Sequence, residues 1–107
     1  MVRISQTAVV ERNARRDATF ATEPFEVAWA GEARWFVRVL ECSGTWHART
    51  EISPDGQEWC PYGEPLRFDA PGVYTAGVTH FGHWLRLAAE PDGEASTRLH
   101  IYLALKE

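Results

Sequence analysis

Ile52-Ser53-Pro54-Asp55-Gly56-Gln57-Glu58-Trp59 decides how this chain is read. An Asp-Gly pair between two short runs that alternate inside and outside is among the strongest local signals for a β-hairpin. A type I′ turn needs positive φ at both central residues, and glycine takes it without a Cβ penalty. With Asp55 and Gly56 as the loop, Ile52 lies opposite Trp59 and both face the same side. The stretch therefore predicts one hairpin.

The same grammar recurs on both sides of it. Arg3–Val10 alternates weakly and reads as a first strand or an extended arm, and residues 1–18 form a candidate N-terminal arm. Glu11–Asp17 is polar and reads as a solvated loop. Phe25, Val27 and Trp29 alternate with Glu26, Ala28 and Ala30, the pattern of a half-buried strand. Arg34–Cys42 is apolar on both faces, with Trp35, Val37 and Val39 on one and Phe36 and Leu40 on the other, which places it centrally in a sheet. Trp46, Ala48, Thr50 and Ile52 form the next inward row. Short strands follow around Trp59 and at Leu66–Phe68. After the Pro71-Gly72 turn come strands at Val73–Val78 and His83–Ala89. Leu99, Ile101, Leu103 and Leu105 make the strongest period-2 run in the chain. Eight or nine strands at a spacing of roughly ten residues predict a single all-β domain over 1–107, an antiparallel, jelly-roll-like β-sandwich with almost no helix.

Composition narrows the function classes. The chain has 107 residues and a net charge of −4, which argues against affinity for nucleic-acid phosphate. Thirteen aromatic rings are many for this length, so some are expected at an interface. No apolar run approaches the ~18 residues of a membrane span. Met1–Gln6 lacks the apolar run of a signal peptide, which implies a chain made in the cytoplasm. Cys42 and Cys60 are the only cysteines. No CxxC pair exists for a zinc ribbon, and reduced thiols are the default in that compartment.

Motifs for chemistry are sparse. His80 and His83 sit three apart, which on an extended chain points them to opposite faces, and no third ligand has fixed spacing. No metal and no cofactor are expected. Neither cysteine has a histidine neighbour, no Gly-x-Ser-x-Gly elbow appears, and no glycine-rich phosphate loop is present, so no catalytic residues are assigned. The last two strands offer a surface instead. If Leu85, Leu87 and Ala89 point inward with Leu99, Ile101 and Leu103, then Trp84, Arg86, Arg98, His100 and Tyr102 point outward. Paired as a hairpin, the two strands set Glu90 beside Arg98 and Arg86 beside Tyr102. Trp, Tyr and Arg are the residues enriched at binding hot spots, so these five form the candidate interface.

Ser53-Pro54-Asp55-Gly56-Gln57-Glu58-Trp59, then Gly72-Val73-Tyr74-Thr75, then Thr79–Leu87 with its aromatic-Leu-Arg strand, resembles small β-sandwich structural proteins of tailed bacteriophages. Residues 46–90 carry the likeness, and discoidin-type modules share it more weakly. The turn is also similar to the sialidase Asp-box but one residue short of it, and a single copy cannot build a propeller. The phage resemblance implies a non-enzymatic virion surface or head-decoration protein, located in the virion, with itself or a repeating protein shell as partner. A carbohydrate-binding module is the alternative, with a glycan stacked on exposed rings.

Overall fold

Every element of the described chain is a strand. The computed structural model describes residues 3–107, and the first two residues of the expected arm lie outside them. The strands are β1 (Ser5–Arg16), β2 (Phe20–Ala21), β3 (Phe25–Glu26), β4 (Glu32–Ser43), β5 (Trp46–Ser53), β6 (Cys60–Phe68), β7 (Gly72–Thr79), β8 (Trp84–Pro91) and β9 (Ser96–Lys106). They form two sheets, one in the order β1-β9-β4-β7, the other β2-β8-β5-β6 with β3 also on β8. All pairings are antiparallel. The short β2 and β3 together occupy one strand's place along β8. With that count the order is a jelly roll, the architecture predicted.

Alternation explains the packing. In the first sheet Trp35, Val37, Val39, Leu99, Ile101, Leu103 and Leu105 point inward and are buried. In the second, Trp46, Ala48, Phe68, Leu85 and Leu87 meet them. The Trp46 ring stacks on Phe68 with centroids 6.3 Å apart and receives the edge of Phe20 at 6.0 Å. The central position predicted for Arg34–Cys42 is that of β4, flanked by β9 and β7.

Several local expectations change. β5 and β6 pair, but Ile52 faces Cys60 rather than Trp59. Gly56 has a φ of 80° while Asp55 does not have positive φ, so the turn is not type I′. The connection is a longer loop closed by side chains. Ser53 Oγ accepts from Gly56 N at 2.8 Å, and Asp55 Oδ1 accepts from Gln57 N at 2.9 Å and Glu58 N at 3.0 Å. The strands expected around Trp59 and at Leu66–Phe68 are one strand, β6, with a register shift opposite Arg49. Its prolines are tolerated because it lies at a sheet edge. The strand expected over Phe25–Trp29 shrinks to Phe25–Glu26, after which Ala30 N bonds Val27 O and the chain turns.

The polar run Glu11–Asp17 is not a loop. It continues β1 to Arg16 against β9, with register shifts between Val9 and Glu11 and between Glu11 and Ala14. Val10 and Ala14 pack on the core, and the two bulges break the even spacing that would have revealed the strand.

Candidate interaction surface

The five residues expected to share one face do not. β8 belongs to the second sheet and β9 to the first, so Trp84 and Arg86 lie on one outer face and Arg98, His100 and Tyr102 on the opposite one. The turn after β8 crosses between sheets. It runs beside the β4–β5 crossing, where Asp92 N bonds Thr45 O at 2.8 Å and Gly44 leaves room for Ala95. Period-2 alternation tells which side chains point inward, but both sheets contribute inward rows to one core, so it does not tell which sheet a strand joins. Glu90 accordingly lies 3.6 Å from Arg49, and Tyr102 sits between Val9 and Phe36.

The outer face of the second sheet is ionic. Glu51 is buried at 6% exposure. Its Oε1 accepts from Arg86 Nε at 2.7 Å and its Oε2 from Arg49 Nε at 3.1 Å. The Trp59 ring covers the Arg86 guanidinium at 4.3 Å, a cation–π contact. Trp84 packs under the Gly56 backbone and beside His83. These groups satisfy one another, and Trp59, Glu51 and Arg49 owe their place here to the long loop and to the β5–β8 register. His83 lies 3.4 Å from Glu26, and among the described residues no group of three His, Cys, Asp or Glu side chains is placed to hold a metal ion. Cys42 and Cys60 are free thiols on different sheets. Burial raises the Cys42 thiol above its ordinary range.

The outer face of the first sheet differs. Cross-strand register places Val9, Tyr102, Phe36 and Thr75 in one row across all four strands, with His100, Arg38 and Val73 in the next. Val73 is 67% exposed and Val9 42%. The His100 and Tyr102 rings lie 6.1 Å apart. Beside this strip a shallow concavity of about 330 Å³ opens over Ala104 and Gly77, with Arg34, Phe36 and Lys106 around it. Arg34 lies across Gly77 and donates to Thr75 Oγ1 at 3.1 Å.

This fold has structural counterparts. YomS, a protein derived from the SPBc2 prophage, superposes with a TM-score of 0.66 over 100% of this chain and 96% of its own, at 8% sequence identity. PirA superposes at 0.53 over 96% of this chain and 93% of its own, at 9% identity. A CBM4 structure aligns at 0.43, over 83% of this chain and 61% of its own, at 9% identity. At such identities the first two matches show a shared fold and no more. No family model matches the sequence, and no curated protein matches it.

One end of the first sheet's outer face is locked by charge. Glu41 accepts from Arg98 at 3.2 Å and from Arg15 at 3.3 Å, and the Arg98 bond foremost holds its carboxyl below the ordinary range. Arg98 also donates to the Asn13 side chain, and Asn13 N donates to His100 Nδ1 at 2.9 Å. Arg98 and His100, two of the five predicted residues, thus fasten β1 to β9. Tyr102 alone of the five belongs to the apolar strip. Val9, Phe36 and Val73 complete it, and they become visible only when the four-strand register is known.

Proposed function

We propose that this chain is a non-enzymatic structural module of a phage-type particle, a virion surface or capsid-stabilising protein. It binds through the outer face of its first sheet, to further copies of itself and to a repeating protein shell. The observation that carries this reading is the Val9–Tyr102–Phe36 row with Val73 beside it. In that strip Val9 and Val73 are exposed and Tyr102 and Phe36 half-buried, and apolar surface gathered on one face of a small domain marks an interaction site. The opposite face is closed by its own ion pairs and offers less to a partner. The end-to-end likeness to a prophage-derived protein suggests where such a module would work.

Light scattering with pull-down against assembled phage shells tests the proposal. Self-association or shell binding that Tyr102→Ala with Phe36→Ala abolishes is expected. A monomer that ignores shells and instead binds glycans would overturn it in favour of the carbohydrate-binding alternative.

A further inference from the structure

A jelly roll leaves open sheet edges, and an open edge invites another strand unless something blocks it. Three of the edges here are blocked. β1 is blocked from Glu11 on by two bulges together with Glu11, Arg12, Arg15 and Arg16, which leaves only the five residues Ser5–Val9 regular. β6 carries Pro61, Pro65 and a register shift. β2 and β3 are two residues each. The remaining edge is β7, Gly72-Val73-Tyr74-Thr75-Ala76-Gly77-Val78-Thr79. It has no charge, no proline and unbroken register against β4.

Two observations fix which of its backbone groups are free. Thr79 O accepts from Tyr62 Oη of β6 at 2.7 Å, a bond outside the β4 ladder. Trp35 O accepts the Thr75 hydroxyl at 2.8 Å and therefore points toward β7, where its register partner is Ala76. In an antiparallel ladder a residue's N–H and C=O point to the same side, and successive residues alternate. The even residues thus bond β4, and Val73, Thr75 and Gly77 present their N–H and C=O to the open side.

We infer that β7 pairs with β7 of a second copy, antiparallel across a two-fold axis centred on Thr75, joining two four-stranded sheets into one of eight. The occupant is a second copy because the strand is complementary to itself. A register centred on Thr75 sets Thr75 against its own equivalent and Val73, the largest outward side chain of the strand, against Gly77 of the second copy. Threonine pairs are favourable cross-strand neighbours, Val73 comes beside the Arg34 side chain that lies across Gly77, and no two β7 charges meet. The neighbouring register, centred on Ala76, needs the Thr79 carbonyl that Tyr62 already holds. Three residue pairs, each exchanging two bonds, give about six N–H···O bonds, and the apolar strips of both copies become continuous. The inference rests on the assembly reading and adds to its outer-face contacts a second, edge-to-edge contact between copies.

Sedimentation tests it. The wild type is expected to be dimeric. Val73→Pro removes an edge N–H without touching the β4 ladder, and should raise the dimer dissociation constant by about tenfold or more with thermal unfolding little changed. Thr75→Pro should raise it as far, but it also loses the hydroxyl bonds to Trp35 O and from Arg34, so it is compared at temperatures where its fold persists. Independently of proline, Thr75→Cys with Cys42→Ser and Cys60→Ser should crosslink to itself on mild oxidation, while Thr7→Cys on the β1 edge in the same background should not. An oligomer that survives both prolines, and that the Thr75→Cys variant fails to crosslink, would overturn the edge inference and leave the assembly reading standing. A wild-type monomer that still binds shells would do the same. A monomer without shell affinity would remove both.

Discussion

The Arg34 guanidinium lies across Gly77, so that a Cβ on the glycine would meet Nη2 at 2.8 Å. Gly77 does not adopt positive φ, so the glycine serves a close approach, not a turn. Gly77→Ala should displace the Arg34 tip and break its bond to Thr75. Because the displaced group is the end of a flexible, exposed side chain, stability should change by less than about 0.5 kcal/mol, read from the urea midpoint. A larger loss would mean that Arg34 is rigidly held.

Gly56 is a different case. Its φ of 80° disfavours any side chain, and a Cβ would meet the Trp84 indole at 3.4 Å. Gly56→Val should cost ~1–2 kcal/mol, because a β-branched residue is strained at positive φ. Gly63, with a φ of 83° and no neighbour within 4 Å of its Cβ position, isolates the backbone term. Gly63→Ala should cost less than Gly56→Val in the same denaturation series.

Asp55 ties the same loop to pH. The Glu58 N–H above all, then the Gln57 N–H and the Ser53 hydroxyl, hold its carboxyl below the ordinary range. A depressed folded pKa means the contribution is complete above the unfolded value of about 4 and disappears as pH falls through the folded one. Glu41, held down by Arg98, adds in the same direction. Thermal midpoints should therefore fall on acidification below about pH 4. Asp55→Ala should lower the neutral midpoint and flatten that acid limb.

Much of the architecture was legible in the sequence because both sheets obey period two. Trp35, Val37 and Val39, and Leu99 through Leu105, are inward as read, and β4 is central because Phe36 and Leu40 on its outer side are also apolar. Pairing was not legible. Strands that follow one another here mostly change sheets, and a short crossing such as Asp92–Ala95 has the composition of a hairpin turn. β1 was hidden for a local reason, since two bulges shift the phase between Val10 and Ala14. The candidate site inherits the pairing error. Trp84 and Tyr102 look like neighbours in the sequence, yet the thickness of the sandwich separates them.

Glu51 offers a prediction that only the register reveals. Its two oxygens each take one guanidinium N–H, and Arg86 supplies the shorter bond from the less exposed side chain. Arg86→Met should cost ~2–3 kcal/mol, the loss of a charge-assisted bond to a buried carboxylate. Arg49→Met should cost less, because Arg49 is more exposed and its bond to Glu51 is longer. Equal losses in chemical denaturation would mean that the two arginines share the carboxylate evenly.

The separation of Trp84 from Tyr102 turns the assembly proposal into a contrast between two faces. Trp84 supports the Gly56 loop on the second sheet, so Trp84→Ala should cost about 2 kcal/mol of fold stability and leave the oligomer distribution unchanged at temperatures where the fold persists. Tyr102 and Phe36 are half-buried neighbours on the first sheet, directly opposite in register. Tyr102→Ala with Phe36→Ala should cost the fold roughly 1 kcal/mol per residue while shifting the protein strongly toward monomer and away from shells, because truncating central aromatic residues removes the largest share of interface energy. Light scattering at matched concentrations, with unfolding followed in the same samples, separates the two outcomes. If Trp84→Ala dissociates the assembly and the Tyr102/Phe36 pair does not, the binding face lies on the second sheet, and the apolar strip of the first needs another explanation.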